Sequence, residues 1–215
     1  MSPSVRQHDI VRPDETVVAL VRFAARVAGG TEEAMRAGVA ECVASGTPPT
    51  WVEEMLLQSY LFCGFPRALN ATREWRRSSG VVAPPTDTGA LGGGPVEWTA
   101  VGEVTCAIVY GDHYAKLRHN IVALHPALDG WMISEGYGKI LSRPGLALQH
   151  RELCIVAACV AGEQDRQLHS HLHGALNAGV SAPELRGMLL ALRGTVSAAA
   201  LEKAQLLLTR VTGKK

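Results

Sequence analysis

The 215-residue sequence predicts an all-α protein. Apolar residues recur at spacings of three and four, and helix start and stop signals separate these periodic segments. The period-two alternation that is typical of strands is scarce. A hydrophobic content of 47% is enough for a substantial core, in one domain or in two small ones. We therefore expect about ten helices in the chain.

Four helices are predicted in the first third of the chain, beginning at the capping or first-turn residues Asp14, Thr31, Thr50 and Pro66. The segment SSGVVAPPTDTGALGGGP (78–95) is rich in Pro and Gly. It is predicted to be a flexible linker, because it gains too little burial to offset its ordering entropy. Beyond it, EVTCAIVY (103–110) is predicted as a short strand. Six further helices are expected over 112–124, 126–141, 147–161, 164–178, 182–193 and 196–211.

An internal repeat aligns the first four predicted helices with the last four at a constant offset of 133 residues. Leu20 recurs as Leu153 and Gly46 as Gly179, so the matches fall on apolar stripes and helix-stop glycines. The alternative is two unrelated amphipathic helix sets in an alanine-rich chain. The repeat predicts four parts: a tail over 1–13, a first repeat over 14–77, a linker over 78–98 and a second domain over 99–215.

Charge and cysteine content exclude several classes of function. The net charge is +1 and basic residues are not clustered, so we expect no nucleic-acid partner. About eighteen consecutive apolar residues occur nowhere, and the N-terminus is polar, so we expect no membrane association and a cytoplasmic location. Five cysteines without a CxxC pair do not favour a disulfide framework or a zinc knuckle.

A candidate site lies in the second half, in RELCIVAACVAGEQDRQLHSHLHGALNAG (151–179). Glu152 shares a helix face with apolar residues and Cys159, so its carboxylate needs a partner. Gln164, Gln167 and His171 line one stripe of the next helix, and antiparallel pairing would bring them towards Glu152. His169 and His173 have a metal-compatible spacing, but without a third ligand no metal site is predicted.

The repeat bears on the role of this pair, because Glu152 aligns with Ala19 and His171 with Gly38. The ionisable groups therefore belong to the second half alone, which favours an asymmetric site. The pattern leaves open a buried structural hydrogen bond between the two residues.

The passage GYGKILSRPGLALQHRELCIVAACVAGEQDRQLHSHLHGALNAGVSAPEL (136–185) resembles the carboxymuconolactone decarboxylase family, which shares the all-helical fold of the alkylhydroperoxidase AhpD. WVEEMLLQSYLFCGFPRALNA (51–71) resembles part of a second copy. The resemblance thus implies an AhpD-like fold in two tandem repeats. It also implies a small-molecule substrate and a homo-oligomer, for which we expect a trimer rather than a hexamer.

The resemblance implies catalytic roles for Glu152 and His171, which match the family's glutamate and histidine. Gln164 and Gln167 stand where the peroxidase branch has its two cysteines, so its disulfide chemistry is not expected. The decarboxylase branch needs no cofactor, and none is expected here. In that case the two glutamines would hold oxygens of the substrate, and Tyr137 and Cys159 would line the pocket.

Two other functions stay open at this stage. One is a peroxidase that uses an atypical thiol, such as Cys159 or Cys63. The other is a binding or assembly protein without catalysis, in which Glu152 and His171 serve packing.

Overall fold

The computed structural model describes residues 10, 11, 13–90, 92 and 94–213. Within these ranges the chain is all-α, as the sequence predicts, and Arg193 and Val196 make an isolated β-bridge. A short 3₁₀ turn over Gly111–His113 precedes the fifth helix, and a π-helical segment over Met132–Leu141 continues the sixth. The α-helices are α1 Glu15–Gly29, α2 Glu32–Ala44, α3 Pro49–Ser79, α4 Gly94–Tyr110, α5 Tyr114–Leu124, α6 Pro126–Trp131, α7 Leu148–Ala161, α8 Asp165–Asn177, α9 Ala182–Ala191 and α10 Ala198–Thr212.

The predicted strand over 103–110 is wrong, because this segment is the second half of α4. Its β-branched residues favour a strand only weakly, and packing against the π-helical segment overrides that preference. The contact is close. A Cβ on Gly102 would collide with the Ile133 carbonyl oxygen, and one on Gly138 would collide with that of Trp98. The third and fourth predicted helices are joined as α3, with a kink at Gly64 (φ 78°, ψ 161°).

Helices α1 and α7 pack against each other in the core, and both are buried along most of their length. Their C-terminal ends meet where a Cβ on Gly29 would lie 2.7 Å from the Ala161 carbonyl oxygen. A shift of 133 residues places α7, α8 and α9 on 15–28, 32–44 and 49–58, close to the bounds of α1, α2 and the start of α3. The assignment of two family domains remains a prediction, and the predicted tail over 1–13 lies largely outside the described residues.

A network of charged side chains, buried except for Asp87, connects the segment between α3 and α4 to the core. The Arg143 guanidinium donates to the Glu54 carboxylate (3.0 Å) and to both oxygens of Asp87 (2.7 and 3.0 Å). Arg151, which is fully buried, donates to the same Glu54 carboxylate at 2.7 Å. The segment that was predicted to be a flexible linker is therefore held at Asp87 by two charge-assisted hydrogen bonds.

Within the described residues, no helix is both long enough and apolar enough to cross a bilayer.

Candidate active site

Glu152 and His171 form a buried pair between α7 and α8. The Nδ1 atom of His171 lies 2.9 Å from Oε2 of Glu152, which is hydrogen-bond distance. The Glu152 side chain is 0% exposed and that of His171 is 4% exposed. The structure thus brings together the two residues that the sequence predicts as a pair.

A glycine on α8 makes room for the Glu152 carboxylate. A Cβ on Gly174 would lie 2.6 Å from Oε2 of Glu152 and 2.7 Å from Cγ1 of Val109 on α4. Real Cβ atoms essentially never approach other atoms this closely. The carboxylate is therefore fixed at a point where three helices, α4, α7 and α8, come into contact.

The second oxygen of Glu152, Oε1, is buried and has no hydrogen-bond partner among the described residues. An unsatisfied buried acceptor costs about 1–3 kcal/mol, and such groups are rare in folded proteins. The carboxyl group thus has one oxygen at hydrogen-bond distance from His171 and one buried oxygen without a partner among the described residues.

Neutral polar side chains surround this carboxylate. Burial, with a smaller contribution from the neighbouring Glu152, raises the pKa of the Cys106 and Cys159 thiols to about 12. Burial also raises the pKa of Tyr110 to about 12 and that of Tyr137 well above its ordinary value. The four groups stay protonated near neutral pH, so Glu152 lies in a largely dry site among weak acids.

Tyr137 and Cys159, which the sequence predicts to line the pocket, are both buried in this neighbourhood. Tyr137 lies on the π-helical segment, a type of irregularity that often occurs at functional sites. Its ring meets that of Tyr110 edge to face, with 6.1 Å between the centroids. On the other side, the ring of Phe62 from α3 meets that of His171 edge to face at 5.6 Å.

Sequence reasoning missed Tyr110, Cys106 and Phe62 as neighbours of the pair. The predicted strand over 103–110 contains Cys106 and Tyr110 and separates the two residues, which share one face of α4. Phe62 comes from the first half of the chain, and no local spacing connects it to His171.

The structure does not bring Gln164 and Gln167 to the buried pair, because both side chains are exposed near the start of α8. Gln164 is the N-cap residue, and its backbone (φ −94°, ψ 71°) has not yet entered the helix. Neither amide bonds to Glu152 or His171 in the described part of the chain, and the substrate-binding role of the two residues stays a prediction.

The rings of His169 and His173 pack with 5.0 Å between their centroids. The described residues contain no group of three ligands suited to a metal.

Comparisons with known proteins indicate which family this part of the chain resembles. Residues 126–209, which include the buried pair, match the model of the carboxymuconolactone decarboxylase family. The chain is 26% identical over 176 residues to Peroxisomal protein 2 of Schizosaccharomyces pombe, and this match covers 79% of each chain. It is also 26% identical over 88 residues to 4-carboxymuconolactone decarboxylase of Acinetobacter baylyi, a match that covers 41% of this chain and 66% of the relative. The chain therefore carries a domain of the carboxymuconolactone decarboxylase family over residues 126–209.

Proposed function

We propose that the protein catalyses cofactor-independent decarboxylation of a small carboxylated, unsaturated lactone, or a closely related proton transfer. The observation that carries this proposal is the buried Glu152–His171 pair with its one unpartnered oxygen. The match to the decarboxylase family and the similarity to 4-carboxymuconolactone decarboxylase support it.

The reaction needs only a proton donor and stabilisation of negative charge. When the carboxylate leaves the ring as carbon dioxide, its bonding electron pair moves through the ring double bond to the lactone carbonyl oxygen. The resulting dienolate takes a proton on the carbon next to the carbonyl, and the electron pair returns from the oxygen. The double bond ends one position further along the ring, and no oxidant or reductant takes part.

Glu152 is suited to deliver this proton through Oε1, because the atom has no competing partner. His171 fixes the other oxygen at 2.9 Å and orients the carboxyl group, so the proton is shared within the pair until it is transferred. Solvent replaces the proton after each turnover. The dry surroundings strengthen every electrostatic interaction with the dienolate.

A thiol peroxidase is the less favoured alternative. A peroxidatic cysteine reacts as the thiolate, and burial raises the pKa of Cys159 to about 12 and that of Cys63 above its ordinary value. A binding or assembly role without catalysis is the third possibility. It predicts that ligands bind but are not turned over.

The decisive experiment offers 4-carboxymuconolactone to the purified protein and measures carbon dioxide release together with product formation by NMR. We expect turnover by the wild type and a loss of about a hundredfold or more in His171→Gln. His150→Gln is the matched control, because His150 is a half-buried histidine outside the pair. Binding of the lactone without carbon dioxide release would contradict the proposal.

For assembly, we propose a homo-oligomer, with a trimer favoured. Apolar side chains stay exposed on α5 and α6, with Leu124 at 74%, Trp131 at 62% and Leu128 at 47% exposure. In the described chain, α5 contributes no buried side chain of its own. Light scattering at micromolar concentration should give three times the chain mass, and a monomeric mass would contradict the proposal.

The cytoplasmic location is likewise a proposal, and the name of the yeast relative supplies the alternative of a peroxisome. A fluorescent fusion of the full chain, expressed in yeast, distinguishes a diffuse signal from a punctate one.

A further inference from the structure

We propose that the Phe62 side chain is the gate of the site. Its ring covers His171 and moves aside to admit a substrate whose planar ring is no larger than a phenyl group. The substrate class is thereby narrowed to lactones with a single ring, and Phe62 is the residue that sets this size limit. The inference rests on the proposed function, because it concerns how a substrate reaches the same buried pair.

The Glu152–His171 pair is nearly closed to solvent. The Glu152 side chain is 0% exposed and that of His171 is 4% exposed. A substrate that takes a proton from this pair has to come within hydrogen-bond distance of it. A side chain beside the pair therefore has to move before a substrate can bind.

Phe62 contacts the pair and also reaches solvent. Its ring meets that of His171 edge to face, with 5.6 Å between the centroids and 83° between the planes. Val109 and Gly174, which also lie beside the pair, are buried, whereas Phe62 is half-buried. Because Phe62 is already partly exposed, turning it outwards gives up less buried apolar surface than moving a core side chain. Of these three residues, Phe62 is therefore the one whose displacement uncovers the imidazole most easily.

The backbone of α3 is interrupted next to Phe62. Gly64 departs from helical geometry, with φ 78° and ψ 161°. Pro66 has no N–H, so the Phe62 carbonyl lacks the donor that an α-helix places four residues further on. Phe62 thus lies in the last turn before a break, where fewer helical hydrogen bonds oppose a local movement.

The size limit follows from the space around Phe62. Phe62 lines a narrow cleft between α1, α3 and α7, together with Ala28 and Ala158. The cleft has a volume of only about 10 Å³, which is barely enough for one water molecule. A five-membered lactone ring cannot enter beside the phenyl ring, so it has to use the space that the phenyl ring leaves. A planar ring of that size fits, and two fused rings do not.

Chemical modification of His171 tests the gate without requiring turnover. Diethyl pyrocarbonate acylates neutral imidazoles, and mass spectrometry measures its rate at His171 relative to that at the exposed His169. The variants are Phe62→Ala, the milder Phe62→Leu and the matched control Phe65→Ala, whose ring is 62% exposed and stacks on Tyr60. Each protein is also modified in the presence of α-angelica lactone, which has one ring, or of coumarin, a lactone of two fused rings.

We expect Phe62→Ala to raise the modification rate of His171 by about tenfold or more, because a closed state no longer withholds the imidazole. Phe62→Leu, which keeps an apolar side chain but removes the ring, should raise it by a smaller factor, and Phe65→Ala should match the wild type. In the wild type, α-angelica lactone should slow the modification by about threefold or more and coumarin should not. In Phe62→Ala both lactones should slow it, a change of selectivity that a purely structural role would not produce.

The inference is overturned if Phe62→Ala and Phe62→Leu both modify His171 at the wild-type rate, or if Phe65→Ala raises the rate as much. It is also overturned if coumarin protects the wild type as well as α-angelica lactone does. Carbon dioxide release from 4-carboxymuconolactone is measured in parallel. If the modification follows the expected pattern but no carbon dioxide is released, decarboxylation is the wrong reaction and the gate stands. If carbon dioxide is released but neither lactone protects His171, the gate is wrong and decarboxylation stands.

Discussion

The two halves of the core use matching helices for different purposes, and the positions aligned at an offset of 133 residues show how. In the first half, Gly38 on α2 leaves room for the Phe23 ring, since a Cβ there would lie 2.5 Å from Cδ2 of Phe23. In the second half, the smaller Val156 replaces the phenylalanine and His171 replaces the glycine. The smaller side chain at position 156 leaves space in the core for the larger imidazole at position 171.

The polar groups of the two halves are also placed differently. Glu41 on α2 bonds Arg22 at 2.6 Å and Arg26 at 2.5 Å, and all three side chains are partly exposed. The second half has Gly174 at the position of Glu41, and its carboxylate, Glu152, is fully buried where the first half has Ala19. At these aligned positions the first half thus pairs its charges near the surface, where each pair contributes little to stability, and the second half buries the Glu152–His171 pair.

The largest effect is expected for Glu152→Gln. The amide keeps the size and hydrogen bonding of the side chain but removes the acid, so turnover of 4-carboxymuconolactone should fall by about a hundredfold or more. The melting temperature should change little. Glu41→Gln in the first half is the control and should leave turnover unchanged. If Glu152→Gln and His171→Gln both lower the melting temperature by many degrees while the folded fraction still binds ligand, the pair is structural.

Two glycine substitutions test the comparison directly. Gly174→Ala places a Cβ 2.6 Å from the Glu152 carboxylate, and Gly38→Ala places one 2.5 Å from the Phe23 ring. Overpacking should lower the free energy of unfolding by about 1–3 kcal/mol in both variants, as measured by urea denaturation. Only Gly174→Ala should also reduce turnover, by about tenfold or more, because it displaces the carboxylate. Equal turnover in the two variants would remove the functional difference between the halves.

A smaller, pH-dependent effect is expected at His150, which aligns with Val17 of the first half. Burial lowers the pKa of His150 below 6.5, and its buried Nδ1 atom has no hydrogen-bond partner in the part of the chain that the structure describes. Below pH 6.5 His150 therefore binds a proton more readily in the unfolded chain than in the folded chain. The free energy of unfolding falls as the pH drops. His150→Val should weaken this dependence in melting curves between pH 5 and pH 7, a window of about two units around the histidine pKa. An unchanged pH profile would contradict the prediction.

The smallest effect is expected for the thiols, Cys63 in the first half and Cys159 in the second. Their raised pKa values disfavour the thiolate, so the wild type should not reduce cumene hydroperoxide with dithiothreitol as reductant. Of the variants Cys63→Ser and Cys159→Ser, the first should leave decarboxylation nearly unchanged, because Cys63 is not among the residues predicted to line the pocket. Hydroperoxide turnover that either substitution abolishes would restore the peroxidase alternative.

The sequence by itself determined the all-α class, most helix bounds and the Glu152–His171 pair. These features depend on local information, since apolar periodicity and capping residues act within a few turns of a helix. The pair was predictable because both residues lie on consecutive helices with matching spacing. The resemblance carried by residues 136–185 pointed to the same two positions.

Tertiary structure decided the features that depend on contacts between distant segments. The segment over 103–110 is helical because α4 packs closely on the π-helical segment, and that contact outweighs the strand preference of its β-branched residues. The surroundings of Glu152 and His171 come from α3, α4 and the π-helical segment, so no spacing within α7 and α8 could place Phe62 against His171 or Tyr110 against Tyr137. Burial, which sets the pKa values of these groups, likewise exists only once the helices have packed.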